Sequence, residues 1–199
     1  LYCDFTKRKH ISPDILLQAG LVGHKNGKYY DTFRNRCMFP IMDLKGRIVA
    51  FGGRIMHSEE SAAKYLNSPE TEIYHKSQVL YGLNQGKQAI SKNNLCLLVE
   101  GYMDVIALHQ SGIEHVVSSS GTALTVELIK LIKRLTENVT ILFDGDAAGI
   151  KASFRSIDML LSESMNIRVL LFPDGDDPDS FSRKHPQDYV EKFIKNEAK

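Results

Sequence analysis

Acidic groups set immediately after apolar runs of strand length constrain this chain more than anything else in it. Leu95-Cys96-Leu97-Leu98-Val99 leads into Glu100-Gly101-Tyr102-Met103-Asp104, and Val139-Thr140-Ile141-Leu142-Phe143 leads into Asp144-Gly145-Asp146. A third group, Asp174-Gly175-Asp176-Asp177-Pro178-Asp179, follows the run from Ile167 to Phe172. Carboxylates at the carboxyl ends of parallel strands sit where open α/β sheets bind their ligands. Several carboxylates in one crevice repel each other unless cations hold them together. The pattern predicts a divalent-metal site, and sites of that kind handle phosphates.

The surrounding periodicity predicts the sheet that such a site needs. Strands are expected at 95–99, 115–118, 139–143 and 167–172. Helices are expected at 103–110, 125–135, 147–161 and 186–194. Thr125 is the N-cap of the second helix, and Pro186 opens the last, where a missing N–H costs least. Short apolar strands alternating with helices argue for a small parallel sheet covered on both faces. Before it, residues 38–44 and 47–51 flank Lys45-Gly46 and read as a hairpin. Gly52-Gly53 reads as an interruption of its second strand, through a bulge or a close backbone approach. Residues 11–20 read as a short helix stopped by Gly20, and 57–78 as a polar loop. The boundary between the two textures is placed at 91–94.

Charge divides at the same place. Residues 1–92 hold 14 Lys/Arg against 8 Asp/Glu, and residues 93–199 hold 11 against 16, within a net charge of +1. A basic front half suits a polyanion and an acidic back half suits metal. Arg34, Arg36, Arg47, Arg54, Lys64 and Lys76 lie among Tyr29, Tyr30, Phe33, Phe39, Phe51, Tyr65 and Tyr74. Cations beside stacking rings are what a single-stranded nucleic acid groove uses. Ser118-Ser119-Ser120-Gly121-Thr122 is a second candidate for phosphate, its small residues placed before a helix N-terminus. No Gly-x-x-x-x-Gly-Lys-Ser/Thr run is present. Cys3, Cys37 and Cys96 are odd in number and widely spaced. Neither a disulfide framework nor a zinc site is expected, and a reducing cytoplasm fits. No apolar run reaches the roughly 20 residues of a membrane helix. No signal peptide is read, and a chain opening on Leu1 is expected to be a piece of a longer protein.

Taken together, Glu100-Gly101-Tyr102-Met103-Asp104, Asp144-Gly145-Asp146 and Asp177-Pro178-Asp179 resemble the signature of a Toprim domain, in the version of bacterial DnaG-type DNA primases. The front half resembles the basic subdomain of the same family in Arg34-Asn35-Arg36-Cys37-Met38-Phe39-Pro40-Ile41, Phe51-Gly52-Gly53-Arg54, Lys64 to Thr71, His75-Lys76 and Leu80-Tyr81-Gly82-Leu83. The resemblance covers essentially the whole chain. It implies an α/β fold, with a mixed α+β basic subdomain at 1–92 (partial), a Toprim catalytic domain at 93–182, and the start of a helical tail at 183–199.

The resemblance also implies a DNA-directed RNA polymerase that makes short RNA primers on single-stranded DNA for replication. It implies Glu100, Asp144 and Asp146 as catalytic acids. Those three with Asp177 and Asp179 would hold Mg²⁺ or Mn²⁺, with Asp104 and Asp174 in second rank. Arg54, Lys64 and Lys76 would bind the nucleoside triphosphate or nascent primer, and Arg34, Arg36 and Asn67 the template or nucleotide. Whether Glu100 is ligand or base stays open. Partners would be single-stranded DNA and ribonucleoside triphosphates. The replicative helicase and single-strand binding protein would be met through regions absent here, at the replication fork in the bacterial cytoplasm, with no membrane. Zinc is not expected in this stretch of the family's chain. A Toprim nuclease or strand-passing enzyme, and a non-catalytic nucleotide or nucleic-acid binding module, remain alternatives on the residues alone.

Overall fold

The computed structural model describes residues 1–56, 63–121, 123–143, 147–173 and 175–199, with the backbone alone at 147–154. By packing, the chain forms two compact units, Leu1–His75 and Lys76–Lys199. The division falls earlier than the expected 92/93.

The first unit opens with two short helices, α1 (Tyr2–Lys7) and α2 (Pro13–Gln18). Ser12 caps α2 by accepting from the Asp14 N–H, and Pro13 holds the first helical position. A hairpin follows, β1 (Val22–Lys25) and β2 (Lys28–Asp31), turning at Asn26-Gly27. The expected second hairpin is present as β3 (Arg36–Met42) and β4 (Ile48–Ile55). Its turn is tied by Asp43, whose Oδ1 accepts from the N–H groups of Lys45 (2.9 Å) and Arg47 (3.0 Å).

Gly52-Gly53 does not interrupt β4, which runs through both residues; the irregularity lies in β3, between Ile41 and Met42. The close approach is nonetheless there. A Cβ on Gly53 would stand 2.8 Å from Phe33 Cδ1 and 3.0 Å from Arg36 Cδ. The polar stretch after β4 is not all loop, because β5 (Tyr65–Asn67) pairs antiparallel with β4. Its end is locked by Ser68, which is buried, donates its N–H to the Phe51 carbonyl (2.8 Å) and accepts the Phe51 N–H on Oγ (3.0 Å).

The second unit is a four-stranded parallel sheet. After a 3-10 turn at Lys76–Gln78 come α3 (Leu83–Asn93), β6 (Cys96–Val99), α4 (Tyr102–Gln110), β7 (Val116–Ser118), α5 (Val126–Lys133), β8 (Asn138–Phe143), α6 (Ala147–Ser162), β9 (Asn166–Leu171), α7 (Pro178–Lys184) and α8 (Gln187–Glu197). The strand order is β7-β6-β8-β9. Every residue of β6 is buried, and alternation sends its side chains to two cores. Cys96 and Leu98 join Ile90 of α3, Leu128, Ile129 and Ile132 of α5, and Leu160 of α6. Leu97 and Val99 join Val105 and Leu108 of α4, Phe181 of α7, and Val190 and Ile194 of α8. Residues 183–199 therefore pack as part of the second unit.

Burial on both faces explains why these strands read as continuous apolar runs instead of alternating ones. It also pushes the Cys96 thiol up from its ordinary value, while Cys3 and Cys37 are exposed. Among the described residues, no helix is long and apolar enough to cross a membrane.

Helix α3 lies so close to the chain entering β7 that a Cβ on Gly86 would stand 2.5 Å from the Glu114 carbonyl oxygen. Mid-helix Gly→Ala substitutions ordinarily gain about 1 kcal/mol, whereas forcing a methyl against fixed backbone costs about 1–3 kcal/mol. Backbone cannot swing aside as a flexible side chain does, so the clash wins. We expect Gly86→Ala to lower the stability of the second unit by about 1 kcal/mol in urea unfolding; a gain in midpoint would contradict this packing.

Candidate functional site

Glu100 stands at the switch point of the sheet. The chain leaves β6 for β7 on one side, then returns past β6 to form β8 on the other. Ligands of open α/β sheets bind in the crevice at such a point, beyond the carboxyl ends of the strands. Val99 ends β6, and the exposed Glu100 follows. Ser118 of β7, fully buried, fixes its main chain: the hydroxyl donates to the Glu100 carbonyl (2.6 Å) and accepts the Ser120 N–H (2.8 Å). One side chain thus ties the end of β6 to the turn after β7. Tyr81 holds the other edge of Ser118 through paired backbone hydrogen bonds of 2.9 and 3.0 Å, with its ring edge-on to Tyr102.

Glu100 opens onto a cavity of about 740 Å³. Leu98, Phe143, Leu124 and Met159 form its apolar wall, and Ser119, Gly121 and Arg155 are polar points on the rim. Arg155, from α6, was not singled out from sequence, because nothing in its neighbourhood resembles a motif. Asp144 and Asp146, the acids expected opposite Glu100, lie outside the described residues, as do Asp174 and Thr122.

The other acids have structural partners. Asp104 is nearly buried and accepts the Gly101 N–H (2.9 Å), capping α4 at its third position. Asp177 caps α7, with Oδ1 accepting from the Ser180 N–H (2.6 Å) and its own N–H donating to Ser180 Oγ (3.0 Å). Asp179 forms a two-pronged pair with Arg183, Nε to Oδ1 at 2.6 Å and Nη2 to Oδ2 at 3.2 Å. Asp176, given no role from sequence, accepts from Lys184 Nζ (2.5 Å) and Ser180 Oγ (2.7 Å). Those two bonds, the lysine's first, hold its carboxyl below the usual carboxylate range. The spacing of Asp177 and Ser180 is the sequence signal that would have found the cap.

The seryl turn does not sit at a helix N-terminus. Helix α5 begins at Val126 under the expected Thr125 cap, whose Oγ1 accepts the Leu128 N–H (3.3 Å), and Ala123-Leu124 intervene. Two residues of the turn, Ser120 and Gly121, are left-handed, with φ of 54° and 81°.

In the first unit, the β3-β4-β5 register separates the expected binding residues. Arg54 pairs with Tyr65 and Gly52 with Asn67, so Arg54 and Asn67 share one face of the sheet. Arg36 pairs with Ile55 and occupies the other face. Its Nη1 donates to the Gly53 carbonyl (3.1 Å) and the Lys64 carbonyl (3.4 Å), bracing β5 against β4. Arg54 lies over the Tyr65 ring at 5.9 Å and Arg34 over Tyr30 at 5.8 Å. Lys64 is exposed, and Lys76 belongs to the second unit. Of the expected stacking rings, Phe39 and Tyr74 are core residues; burial pushes the Tyr74 hydroxyl up to about 12.

Among the described residues, no three His, Cys, Asp or Glu side chains gather closely enough to hold a metal ion. Among the described residues, the donor directly beyond a strand end is the Glu100 carboxylate, an oxygen ligand of the kind that suits hard divalent cations.

Comparison with known proteins places this geometry. Residues 2–87 match the family described as "DNA primase catalytic core, N-terminal domain", and residues 97–182 match "Toprim-like". The DNA primase of Clostridium acetobutylicum is 45% identical over 195 residues, 96% of this chain and 32% of that protein. The chain therefore spans about a third of the length of such curated relatives. The E. coli primase catalytic core superposes with a TM-score of 0.88 at 41% identity, covering 98% of this chain and 64% of the other. A DnaG primase catalytic domain bound to single-stranded DNA superposes at 0.87 with 40% identity, covering 98% and 64%. The chain belongs to the DnaG-type DNA primase family, of whose catalytic core it carries the N-terminal domain and the Toprim domain.

Proposed function

We propose that this chain forms the catalytic part of a metal-dependent nucleotidyltransferase that synthesises short RNA primers on single-stranded DNA. The observation that carries the reading is Glu100, exposed at the switch point of a parallel sheet above an open cavity. Glu100, Asp144 and Asp146 form the catalytic group, joined by Asp177 and Asp179 as ligands of Mg²⁺ or Mn²⁺, and Asp174 stands behind them. A divalent ion held by these acids would supply charge neutralisation and Lewis-acid activation to nucleotidyl transfer, in which a ribose 3′-hydroxyl displaces pyrophosphate from an α-phosphate.

The protein's own contributions follow from its packing. Ser118 holds the Glu100 main chain, so the carboxylate leaves the sheet at a fixed point. Arg54 and Lys64 present cations to the triphosphate or the nascent primer, with Asn67 beside Arg54 on the same face. Lys76 joins Arg54 and Lys64 in binding the triphosphate or the nascent primer, and Arg34 helps hold the template or nucleotide. Arg36 acts through the strands that it braces. The ribonucleoside triphosphates are the second substrate class. The domain limits 1–92, 93–182 and 183–199 describe the family's subdomains, and the setting is the replication fork in the bacterial cytoplasm. Helicase and single-strand binding protein are partners of the full-length enzyme.

In the full-length protein, Glu100→Gln keeps the shape and removes the charge. General acid–base catalysis contributes roughly 100-fold or more, so ribonucleotide incorporation on single-stranded DNA should fall at least about 100-fold while DNA binding stays unchanged. Normal incorporation would sink the assignment, and Mg²⁺-dependent DNA hydrolysis without incorporation would replace it with a nuclease.

Binding to single-stranded DNA should weaken with salt, the logarithmic slope changing by about 0.7 per phosphate contact. Arg54→Ala should make the slope shallower by about that amount, and an unaltered slope would remove Arg54 from the groove. Asp104 behaves differently from the catalytic acids. Asp104→Ala should cost about 1 kcal/mol of stability through the lost cap and leave Mn²⁺ affinity unchanged, as read by calorimetry.

A further inference from the structure

The carboxylates of α7 carry an internal set of counter-cations. Asp179 and Arg183 are four residues apart, one helical turn, and both Asp179 oxygens accept from the one guanidinium. The exposures are unequal. The Asp179 side chain is 21% exposed and Arg183 is 63% exposed. The acid is anchored in the fold, with its neighbour Asp177 capping the same helix and Phe181 in the core. The arginine lies in solvent and can leave without disturbing the backbone. An exposed pair of this kind contributes little to stability. A cation of higher charge can therefore take its place, and α7 need not refold to receive it.

We propose that Arg183 is a positioning residue for the divalent-cation site: it holds Asp179 in place while the site is empty and yields to the arriving ion. The proposal rests on the reading that Asp179 is a metal ligand. Arg183 then has two effects on the ion. It competes for the same oxygens, and its charge opposes a second positive charge nearby. Both weaken binding, so removing Arg183 tightens it. Lys184 is engaged with Asp176 and does not replace it at Asp179.

The test measures Mn²⁺ affinity of the full-length protein without nucleotide, from the free-ion paramagnetic resonance signal. Arg183→Gln should bind Mn²⁺ about twofold more tightly, the size expected from releasing an exposed pair one helical turn apart. Arg183→Met, which keeps the aliphatic stem, should do the same, and Arg183→Lys should stay near the parent. In an Asp179→Asn background the Arg183→Gln effect should shrink, because competition for the Asp179 oxygens is gone and only the charge repulsion remains. If Asp179→Asn alone leaves Mn²⁺ affinity unchanged, the underlying metal assignment fails. If Asp179→Asn weakens binding but Arg183→Gln and Arg183→Met leave it unchanged or weaken it, Arg183 is only a helix contact and the proposal is overturned. Thermal unfolding of each variant separates a folding defect from a binding effect.

Discussion

Strand β6 has no exposed face, and the second unit is organised around that fact. A strand of four apolar residues buried on both sides requires helices on both sides, and α3, α5 and α6 meet one face while α4, α7 and α8 meet the other. Its neighbours must also be strands, because its backbone polar groups lie away from water and need partners. The polypeptide can reach solvent only where β6 ends. Glu100 is the first residue past that point, so its exposure follows from the burial of the four residues before it. A carboxylate delivered this way is held by the rigid part of the fold, although it sits in a connection.

Much of this was legible in the chain. The strands of the second unit announced themselves as unbroken apolar runs, and Thr125 was readable as a cap because a hydroxyl stood just before a periodic segment. The front half was harder. The Asn26-Gly27 turn between β1 and β2 carries one of the strongest short-range hairpin signals, and it went unread because its strands are only four residues each. β5 was hidden for a different reason. Three residues, Tyr65–Asn67, give no periodicity, and what makes them a strand is β4 alongside, helped by Ser68. The sharing of faces was also out of reach. Placing Arg54 with Asn67, and Arg36 opposite them, needs the register, and an irregularity between Ile41 and Met42 shifts it.

The acids show how residue type underdetermines role. Asp104, Asp177 and Asp179 stand in acidic groups of similar appearance, yet one is a nearly buried cap, one a cap at a helix entrance and one half of an ion pair. Local spacing to a helix start separates these roles better than charge does. The proposal that Asp144 and Asp146 join Glu100 rests on family membership and on the position of Phe143 at the end of β8.

The thiols divide the molecule in a way that has practical value. Cys3 and Cys37 are exposed and belong to the first unit, whereas Cys96 sits at the centre of the second with its ionisation suppressed by burial. Within this folded chain a maleimide dye attaches to Cys3 and Cys37 of the first unit and leaves the buried Cys96 of the second unreacted. Reaction at Cys96 then reports the opening of the parallel sheet itself, so a built-in label follows the breathing of the second unit without an introduced residue.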